Sequence, residues 1–362
     1  MYWIVVILAL PYLFILISVW KHLKKIKQHE SGNNQSLFIS IIVPCKNEQF
    51  HLPYLLNDLA LQEYPTESFE VVVVDDNSND DTFNIASRFN GIRNFSVIKN
   101  SGTGKKSAIL TGVKHSEGQV IITTDADCSL KQKWLRSICS NFLQNDPDLL
   151  ISPVCLEKKP GFFDRFQELE FLGLQGITAG SAMLGKPVMC NGANLAFKKE
   201  TYLRHTDFMH NEILSGDDIF FLHSLKKEKG SKIMWNGSPD AIVKASSAGS
   251  PGEYFKQRKR WLSKGKAYSD RDTIILAIVT FFTNLLIIGV AAASLADRNF
   301  LMILVAVFML KAIPDFLILS NTSKRYGRMP LLKWFLPSEA VYPFYMLGVA
   351  IVSLFPGRDR MV

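Results

Sequence analysis

Two long segments without a charged residue place the strongest limit on what this chain can fold into. Residues 2–20 (YWIVVILALPYLFILISVW) and 273–296 (TIILAIVTFFTNLLIIGVAAASLA) contain no Asp, Glu, Lys or Arg. About 20 apolar residues are enough to cross the hydrocarbon core of a bilayer as a helix. Both segments therefore predict membrane-spanning helices, and residues 300–319 and 335–356 are two further candidates.

Basic residues beside the apolar segments predict the orientation in the membrane. Four lysines lie at 21–27, and two lysines and two arginines lie at 324–333. Because basic residues accumulate on the cytoplasmic side of membrane helices, residues 21–272 are predicted to face the cytoplasm. The formal net charge of +8 has the same explanation. Nucleic-acid binding is the alternative for a basic chain, but these charges lie next to the apolar segments, so no nucleic-acid partner is expected.

Two further points concern the ends of the chain. A cleaved signal peptide is the alternative for residues 2–20, but the positive charge follows the apolar run and no small-residue cleavage site is evident. Four spans would place the C-terminal residues GRDR outside the cell, against the charge rule. The topology of the last span therefore stays open.

Strand and helix patterns alternate after a polar linker. Strands are predicted at 38–44, 69–76, 94–99 and 119–125, and helices at 50–62, 80–89 and 105–116. Continuous β-branched runs between helices are typical of a parallel sheet covered on both faces, and hence of an α/β fold. Ligands of such folds bind beyond the carboxyl ends of the strands. Acidic residues and one lysine lie at these ends, namely Glu48, Asp75, Asp76, Lys105, Asp125 and Asp127.

The segment VIITTDADCS, residues 120–129, ends a strand on two carboxylates. Residues i and i+2 of an extended chain point to the same side, so Asp125 and Asp127 are expected to converge. An unpaired buried charge is costly, which predicts a cation at this point. A solvated turn after the strand is the alternative.

The segment SGTGKKS, residues 101–107, resembles a phosphate loop without matching either common pattern. It lacks the first glycine of the Walker sequence, and the Rossmann fingerprint has Ser107 where its third glycine belongs. A glycine-rich loop at a helix start with Lys105 and Lys106 still suits a diphosphate. A lysine pair on the surface of an amphipathic helix is the alternative.

Two later motifs carry chemical groups with competing explanations. Asp217 and Asp218 precede an amphipathic helix, where acids are often only helix caps, but a second adjacent acid also suits a general base. The motif QRKRW, residues 257–261, suits an interfacial helix with a tryptophan anchor. It equally allows Arg260 to bind a phosphate and Trp261 to stack on a sugar.

Taken in order, the motifs resemble those of one known family. IIVPCKNE, VVVVDDNSND, GTGKKSAI, TTDADC, CNGANLAF, SGDD and QRKRW are similar to the successive motifs of the membrane-integrated family-2 glycosyltransferases. This GT-A group includes cellulose, chitin and hyaluronan synthases and ceramide glucosyltransferase. The resemblance covers about residues 38–265 and the flanking spans.

The resemblance implies a fold and a domain organisation. The fold is a Rossmann-like GT-A catalytic domain with a mostly parallel sheet, flanked by transmembrane helices. The parts are an N-terminal transmembrane helix at 1–22, a linker at 23–37, a cytoplasmic catalytic domain at 38–250, an interfacial helix at 251–272 and about three transmembrane helices at 273–356. An integral protein of a bacterial inner membrane is the implied location.

The resemblance also implies roles for the donor-site residues. Pro44 and Glu48 would line the pocket for the base and ribose, Asp76 would read a uracil-type base, and Lys105 would lie near the diphosphate. Nucleotide sugars, most often UDP-sugars, are the donors of this family.

The resemblance assigns the metal site and the general base to the acidic motifs. Asp125 and Asp127 match the DxD motif, in which the first acid lies towards the ribose and the second binds Mg²⁺ or Mn²⁺. Asp218 matches the last acid of the TED motif, the general base. The preceding position is Asp217 where the family has glutamate, which leaves the role of Asp217 open.

The last motif and the spans imply the acceptor. Gln257, Arg260 and Trp261 match QxxRW, which closes over the diphosphate and forms the acceptor end of the site. The expected reaction is an inverting transfer to a membrane-associated acceptor, most simply a lipid, with residues 162–185 as an interface helix nearby. A glycan acceptor in a processive polysaccharide synthase is the alternative, although three later spans are few for a polymer channel.

A transporter or scaffold with a nucleotide-sensing domain is the alternative from a different class. Lys311 and Asp315 lie inside the third span and Glu339 near the fourth, and charges inside a membrane are usually functional. An ion pair between residues i and i+4 is the simpler explanation for the first two. The presence of both SGDD and QRKRW favours the enzyme.

Overall fold

The computed structural model describes residues 2–27, 35–206 and 216–354. The chain separates into two compact units. The sheet unit comprises Ile26–Glu157 and Met189–Ser246, and the membrane unit comprises Met1–Lys25, Lys158–Val188 and Ser247–Val362.

The sheet unit contains nine described strands and six described helices. The strands are β1 Ile39–Cys45, β2 Phe69–Asp75, β3 Phe95–Lys99, β4 Val120–Thr123, β5 Leu149–Ile151, β6 Val154–Leu156, β7 Leu195–Lys198, β8 Ile233–Trp235 and β9 Val243–Ala245. The helices are α2 Leu52–Ala60, α3 Thr82–Arg88, α4 Lys105–His115, α5 Trp134–Asn145, α7 Lys199–Arg204 and α8 Asp217–Leu225. The four strands and three helices predicted before residue 125 are all present, with ends shifted by one or two residues.

Seven strands form one sheet in the order β3-β2-β1-β4-β7-β5-β8. The first four are parallel to one another, as the buried β-branched runs predicted. β7 pairs antiparallel with both β4 and β5, while β5 and β8 are again parallel. β6 and β9 form a separate parallel pair. The fold is therefore the expected α/β fold with a mostly parallel sheet.

Close packing of α4 on the sheet fixes the helix whose first residue is Lys105. A Cβ atom at Gly112 would lie 2.5 Å from Ile42 Cγ2 and 3.0 Å from Val74 Cγ2. The first distance is shorter than real Cβ contacts and the second is at their lower limit, so glycine at this position allows α4 to approach β1 and β2 this closely. The start of α4 is thereby held at the carboxyl ends of the strands.

The membrane unit is helical. Its helices are α1 Tyr2–Leu23, α6 Phe162–Met183, α9 Pro251–Ser263, α10 Arg271–Ala296, α11 Phe300–Arg325 and α12 Phe335–Leu354. In the described part of the chain, four helical segments are long and apolar enough to cross a membrane: Ile4–Leu23, Arg271–Ala296, Phe300–Arg325 and Met329–Ser353. These are the four segments that the hydropathy pattern predicted.

The long helix α6 belongs to the membrane unit, although the sequence suggested a single catalytic domain over 38–250. Glycines on α6 allow close contacts with α1 and α11. A Cβ atom at Gly180 would lie 2.5 Å from the carbonyl oxygen of Val19, and one at Gly176 would lie 2.4 Å from Thr322 Oγ1. Small residues permit such close helix packing, which the alternation of strands and helices in the sequence does not reveal.

The charged residues within the predicted spans contact one another. Lys311 Nζ lies 2.9 Å from Asp315 Oδ2 and also forms an ion pair with Glu339. The Tyr12 hydroxyl donates to Asp315 Oδ1 at 2.7 Å. The expected i,i+4 pair is present, and the second acid and the tyrosine join α1, α11 and α12. This internal pairing gives the charges a structural role and weakens the transporter alternative.

Candidate active site

The carboxyl end of β4 carries the two acids of the DxD motif. Asp125 Oδ1 lies 2.5 Å from Lys105 Nζ at the first position of α4, and both side chains are about one-third exposed. Asp127 forms no ion pair with any cationic side chain in the described part of the chain. The expected cation is therefore present for one acid, and it is a lysine of the protein itself.

The second acid lies in an environment that resists its charge. Burial raises the pKa of Asp127 to about 6, with further increases from the negative charges of Asp125 and Glu48, and only Lys105 opposes them. Burial also raises the pKa of the neighbouring Cys128 thiol well above its usual range, so this sulfur stays protonated. A cation at Asp127 would thus meet carboxylate oxygens rather than a thiolate.

These donors fit a metal ion that is completed by a substrate. No group of three or more His, Cys, Asp or Glu side chains suited to a metal exists in the ranges that the structure describes. Mg²⁺ is usually bound through one or two carboxylates together with substrate phosphates and water, not by an all-protein cage. Asp127, with Asp125 beside it, supplies such a set, and the oxygen ligands suit Mg²⁺ or Mn²⁺.

Asp76 organises the glycine-rich loop before α4. Its buried carboxylate accepts from Gly104 N–H at 2.9 Å and from Asn100 Nδ2 at 2.6 Å. Asn100 Oδ1 in turn accepts from Gly102 N–H at 3.1 Å and from Ser107 Oγ at 2.8 Å. Gly104 has a φ of 88°, which favours glycine. Asn100 was not singled out in the sequence, because nothing local shows that its amide would bridge β3 and this loop.

Pro44 lies in β1, and Glu48 follows three residues after this strand ends. The Glu48 backbone N–H donates to Thr82 Oγ1 at 2.7 Å. Its carboxylate contacts His51 Nδ1 at 2.9 Å. The acid that is predicted to line the ribose pocket is therefore held from two sides by residues that sequence reasoning did not select.

Asp218 is joined to β4 through the segment before β7. Its Oδ2 accepts from Gly192 N–H at 3.1 Å and its Oδ1 from Ile219 N–H at 2.8 Å. The Thr123 hydroxyl donates to the Gly192 carbonyl at 2.7 Å, and Thr123 is the last residue of β4. The candidate base and the DxD motif are thus connected through one backbone residue. The motif CNGANLAF contained Gly192, but no role was assigned to it.

The other residues of the SGDD motif are only partly described. α8 begins at Asp217 after Gly216, whose φ is 101°, and the side chain of Asp217 lies outside the described part. The amphipathic helix predicted to follow the two acids is α8, which already includes them and ends at Leu225. The role of Asp217 stays a prediction.

The motif QRKRW lies on α9 of the membrane unit. Gln257 and Trp261 are half-buried and Arg260 is exposed. α9 starts at Pro251 behind Ser250, whose hydroxyl oxygen accepts from Glu253 N–H at 3.2 Å. The predicted interfacial helix at 251–272 is thus shorter, ends at Ser263 and continues as a 3₁₀ turn. The roles of the three motif residues at the donor and acceptor rest on the motif itself.

Part of the chain is similar in sequence to known proteins. Residues 40–202 match the family described as Glycosyl transferase family 2. The glycosyltransferase AglE of Haloferax volcanii is 35% identical over 115 residues, which are 31% of this chain and 38% of that relative. The undecaprenyl-phosphate 4-deoxy-4-formamido-L-arabinose transferase of Shewanella sediminis is 37% identical over 100 residues, 26% of this chain and 30% of that relative. The alignments thus span well under half of these relatives.

A solved structure extends the likeness to the whole chain. The mannosyltransferase PcManGT from Pyrobaculum calidifontis, in complex with GDP-Man and Mn²⁺, has a TM-score of 0.56 at 18% identity and covers 100% of both chains. At this identity the likeness supports the fold alone. Residues 40–202 are therefore similar to a family 2 glycosyltransferase domain, and the chain has the GT-A fold.

Proposed function

We propose that this protein transfers a sugar from a nucleoside-diphosphate sugar to a lipid acceptor in the membrane, with inversion at the anomeric carbon. The observation that carries the proposal is the acidic edge of the sheet, where Lys105 pairs with Asp125 and leaves Asp127 without a protein cation among the described residues. A UDP-sugar is the expected donor from the resemblance, and a GDP-sugar is the alternative, since the solved neighbour holds GDP-Man.

Donor binding uses the groups around α4. The first residues of this 11-residue helix and the loop held by Asp76 present backbone N–H groups, which suit a diphosphate. Lys105 adds a positive charge, and Pro44 and Glu48 line the base and ribose pocket in this proposal. When bound at Asp127, Mg²⁺ or Mn²⁺ would neutralise the diphosphate and favour its departure.

Asp218 is the proposed general base. Its two oxygens already accept from Gly192 and Ile219, so the carboxylate is oriented before the substrate arrives. It removes the proton from an acceptor hydroxyl, whose oxygen forms a bond to the anomeric carbon. The bond from that carbon to the diphosphate oxygen breaks on the opposite face, and the nucleoside diphosphate leaves with the electron pair. One such displacement inverts the configuration.

A lipid acceptor fits the membrane unit. Four described helices are long and apolar enough to cross a bilayer, and a relative is named as acting on undecaprenyl phosphate. The basic residues at 21–27 support a cytoplasmic location for the sheet unit, on the side where nucleotide sugars are made. Gln257, Arg260 and Trp261 would meet the acceptor and the diphosphate.

The test is a transfer assay with purified full-length protein, Mn²⁺, a panel of radiolabelled UDP- and GDP-sugars and a membrane lipid extract. We expect one donor to label a single organic-soluble product, whose anomeric configuration is opposite to that of the donor. If no donor labels a product, while another glycosyltransferase of the same fold is active in the same assay, the proposal is contradicted. Label in a long glycan would instead establish the processive alternative.

A further inference from the structure

The QRKRW motif contains a second arginine, Arg258, that no role described above uses. Arg258 is buried at 6% exposure, whereas Arg260, two residues later, is exposed. A guanidinium cannot lose its charge, so a buried arginine must be paired inside the protein. The two arginines of the motif therefore do different things.

The partner of Arg258 is Glu170 on α6, itself 6% exposed. Arg258 Nε donates to both carboxylate oxygens of Glu170, at 3.2 and 3.1 Å, and a second guanidinium nitrogen adds a further contact. The hydroxyls of Tyr254 and Tyr345 also donate to Glu170, at 2.5 and 2.9 Å. This cluster ties α9 to α6 and α12 within the membrane unit.

The same guanidinium contacts two residues of the motif directly. Its Cζ lies over the indole of Trp261, 4.1 Å from the ring centroid, and over the ring of Tyr254 at 4.5 Å. Another nitrogen donates to Gln257 Oε1 at 3.1 Å. A cation held between aromatic rings in a desolvated position restrains those rings. The Glu170–Arg258 pair therefore defines where Trp261 and Gln257 can be.

We propose that Arg258, held by Glu170, is a positioning residue that orients Trp261 for sugar transfer. This rests on the proposed function, in which Trp261 contacts the acceptor end of the site. Lysine could replace the charge of Arg258 but neither its planar fork nor the contact of its guanidinium with the indole. Losing this orientation should slow transfer more than it weakens donor binding, because Trp261 contacts the acceptor in this proposal, whereas Glu48, Lys105 and Asp127 of the sheet unit hold most of the donor.

The membrane unit offers a matched control. Glu168 is also on α6, is 2% exposed, and pairs with Arg328 at 3.0 Å and Arg165 at 3.1 Å. In the described part of the chain Glu168 is not paired with α9, and neither of these two partners belongs to the QRKRW motif. Replacing this pair therefore measures the general cost of losing a buried ion pair in the same helix.

The experiment compares Arg258→Met/Glu170→Gln with Glu168→Gln/Arg328→Met. Each double variant removes both charges, so neither leaves an unpaired buried acid. Full-length proteins in detergent are measured for kcat of transfer, UDP affinity and thermal midpoint. We expect the first variant to lose about tenfold or more in kcat with a smaller loss of UDP affinity, and the control to keep its kcat at a similar thermal midpoint. Equal losses of kcat in both would overturn the inference.

Combination with Trp261→Ala tests whether Arg258 acts through the indole. We expect the Arg258→Met/Glu170→Gln change to lower kcat little further once Trp261 is alanine, since coupled residues are not additive. If the two changes instead lower kcat by independent factors that multiply, the proposal is overturned. Full activity of Trp261→Ala would also overturn it, but would leave the proposed transfer itself standing. If the wild-type protein transfers sugar from no donor, both the proposed transfer reaction and the positioning role of Arg258 are refuted.

A milder variant covers the case in which the double variant does not reach the membrane. Arg258→Lys keeps the charge opposite Glu170 and removes the guanidinium that lies over the indole of Trp261. We expect normal abundance and a kcat lowered by roughly fivefold or more, in the range of a lost cation–π contact. Normal abundance with wild-type kcat would overturn the inference.

Discussion

The buried carboxylates of one cluster in the membrane unit all have a cationic partner, whereas only one of the two DxD acids at the edge of the sheet has one. In the membrane unit, Asp315 and Glu339 share Lys311, and Glu170 is paired with Arg258. In an environment of low dielectric, such pairs offset the cost of removing charge from water. The charges of these acids are neutralised by the protein's own cations, and the resulting ion pairs hold helices together.

At the edge of the sheet, pairing is incomplete. Asp125 has Lys105, but Asp127 has no cationic partner among the residues that the structure describes, and Asp218 accepts only backbone N–H groups there. An acid that the protein does not neutralise is available to a metal ion or to a substrate proton. The difference teaches where to look for chemistry in this chain: at the acids that lack a cation, not at the most deeply buried ones.

The largest effect is expected at Asp218. Asp218→Asn keeps the size and shape but has a single acceptor oxygen, so it retains only one of the two backbone contacts and cannot take up a proton. Transfer to a hydroxyl acceptor should therefore fall about 10²–10⁴-fold. UDP affinity should stay normal. Asp146→Asn, at an acid of the same unit that pairs with Lys198 at 2.9 Å, is the control and should keep its activity. Loss of UDP binding in Asp218→Asn would refute the base assignment.

Removing the cation from the cluster of Lys311, Asp315 and Glu339 should lower the stability of the protein. Lys311→Met leaves Asp315 and Glu339 without their cation and should lower the free energy of unfolding by about 3–5 kcal/mol. Thermal unfolding in detergent and abundance in membranes measure this. The triple change Lys311→Met/Asp315→Asn/Glu339→Gln should recover most of the loss together with transfer. A stable but inactive Lys311→Met protein would show that the cluster takes part in function.

Asp127 should respond in metal-dependent binding. Asp127→Asn should weaken Mn²⁺-dependent UDP affinity by about 100-fold, since loss of even outer partners of a metal typically costs 10–100-fold. Stability without metal should not fall and should rise somewhat at neutral pH, because no described cation depends on this acid and its charged form is disfavoured there. Calorimetric titration with and without Mn²⁺ gives both numbers. Unchanged metal-dependent affinity would mean that the unpaired acid is not a ligand.

The smallest effect concerns pH. With the pKa of Asp127 raised to about 6, a metal must compete with a proton below that value. Mn²⁺ affinity should therefore fall by up to about tenfold per pH unit below pH 6 and level off above it. In the absence of metal, the stability of the folded protein depends on pH in the opposite direction. The folded state holds this proton up to about pH 6, beyond the usual range of an aspartate, so stability declines as pH rises through that window.

Local patterns were enough to predict a large part of the fold. Four apolar segments predicted the four long helices, and β-branched runs between amphipathic stretches predicted β1 to β4 with α2 to α4. The position of Asp125 and Asp127 at the end of β4 followed from the same pattern. These features depend on residues that are near one another in the chain, where the periods of helix and strand are visible.

Only the tertiary structure decided which acids are neutralised and what holds the motifs. Thr123 contacts Gly192 across 69 positions, Asp218 contacts Gly192 across 26, and Arg258 contacts Glu170 across 88. The antiparallel insertion of β7 between β4 and β5 makes the first of these contacts possible. The sequence by itself determined the elements and the acids at their ends. Their partners depend on how distant elements pack, and no periodicity within one segment encodes that choice.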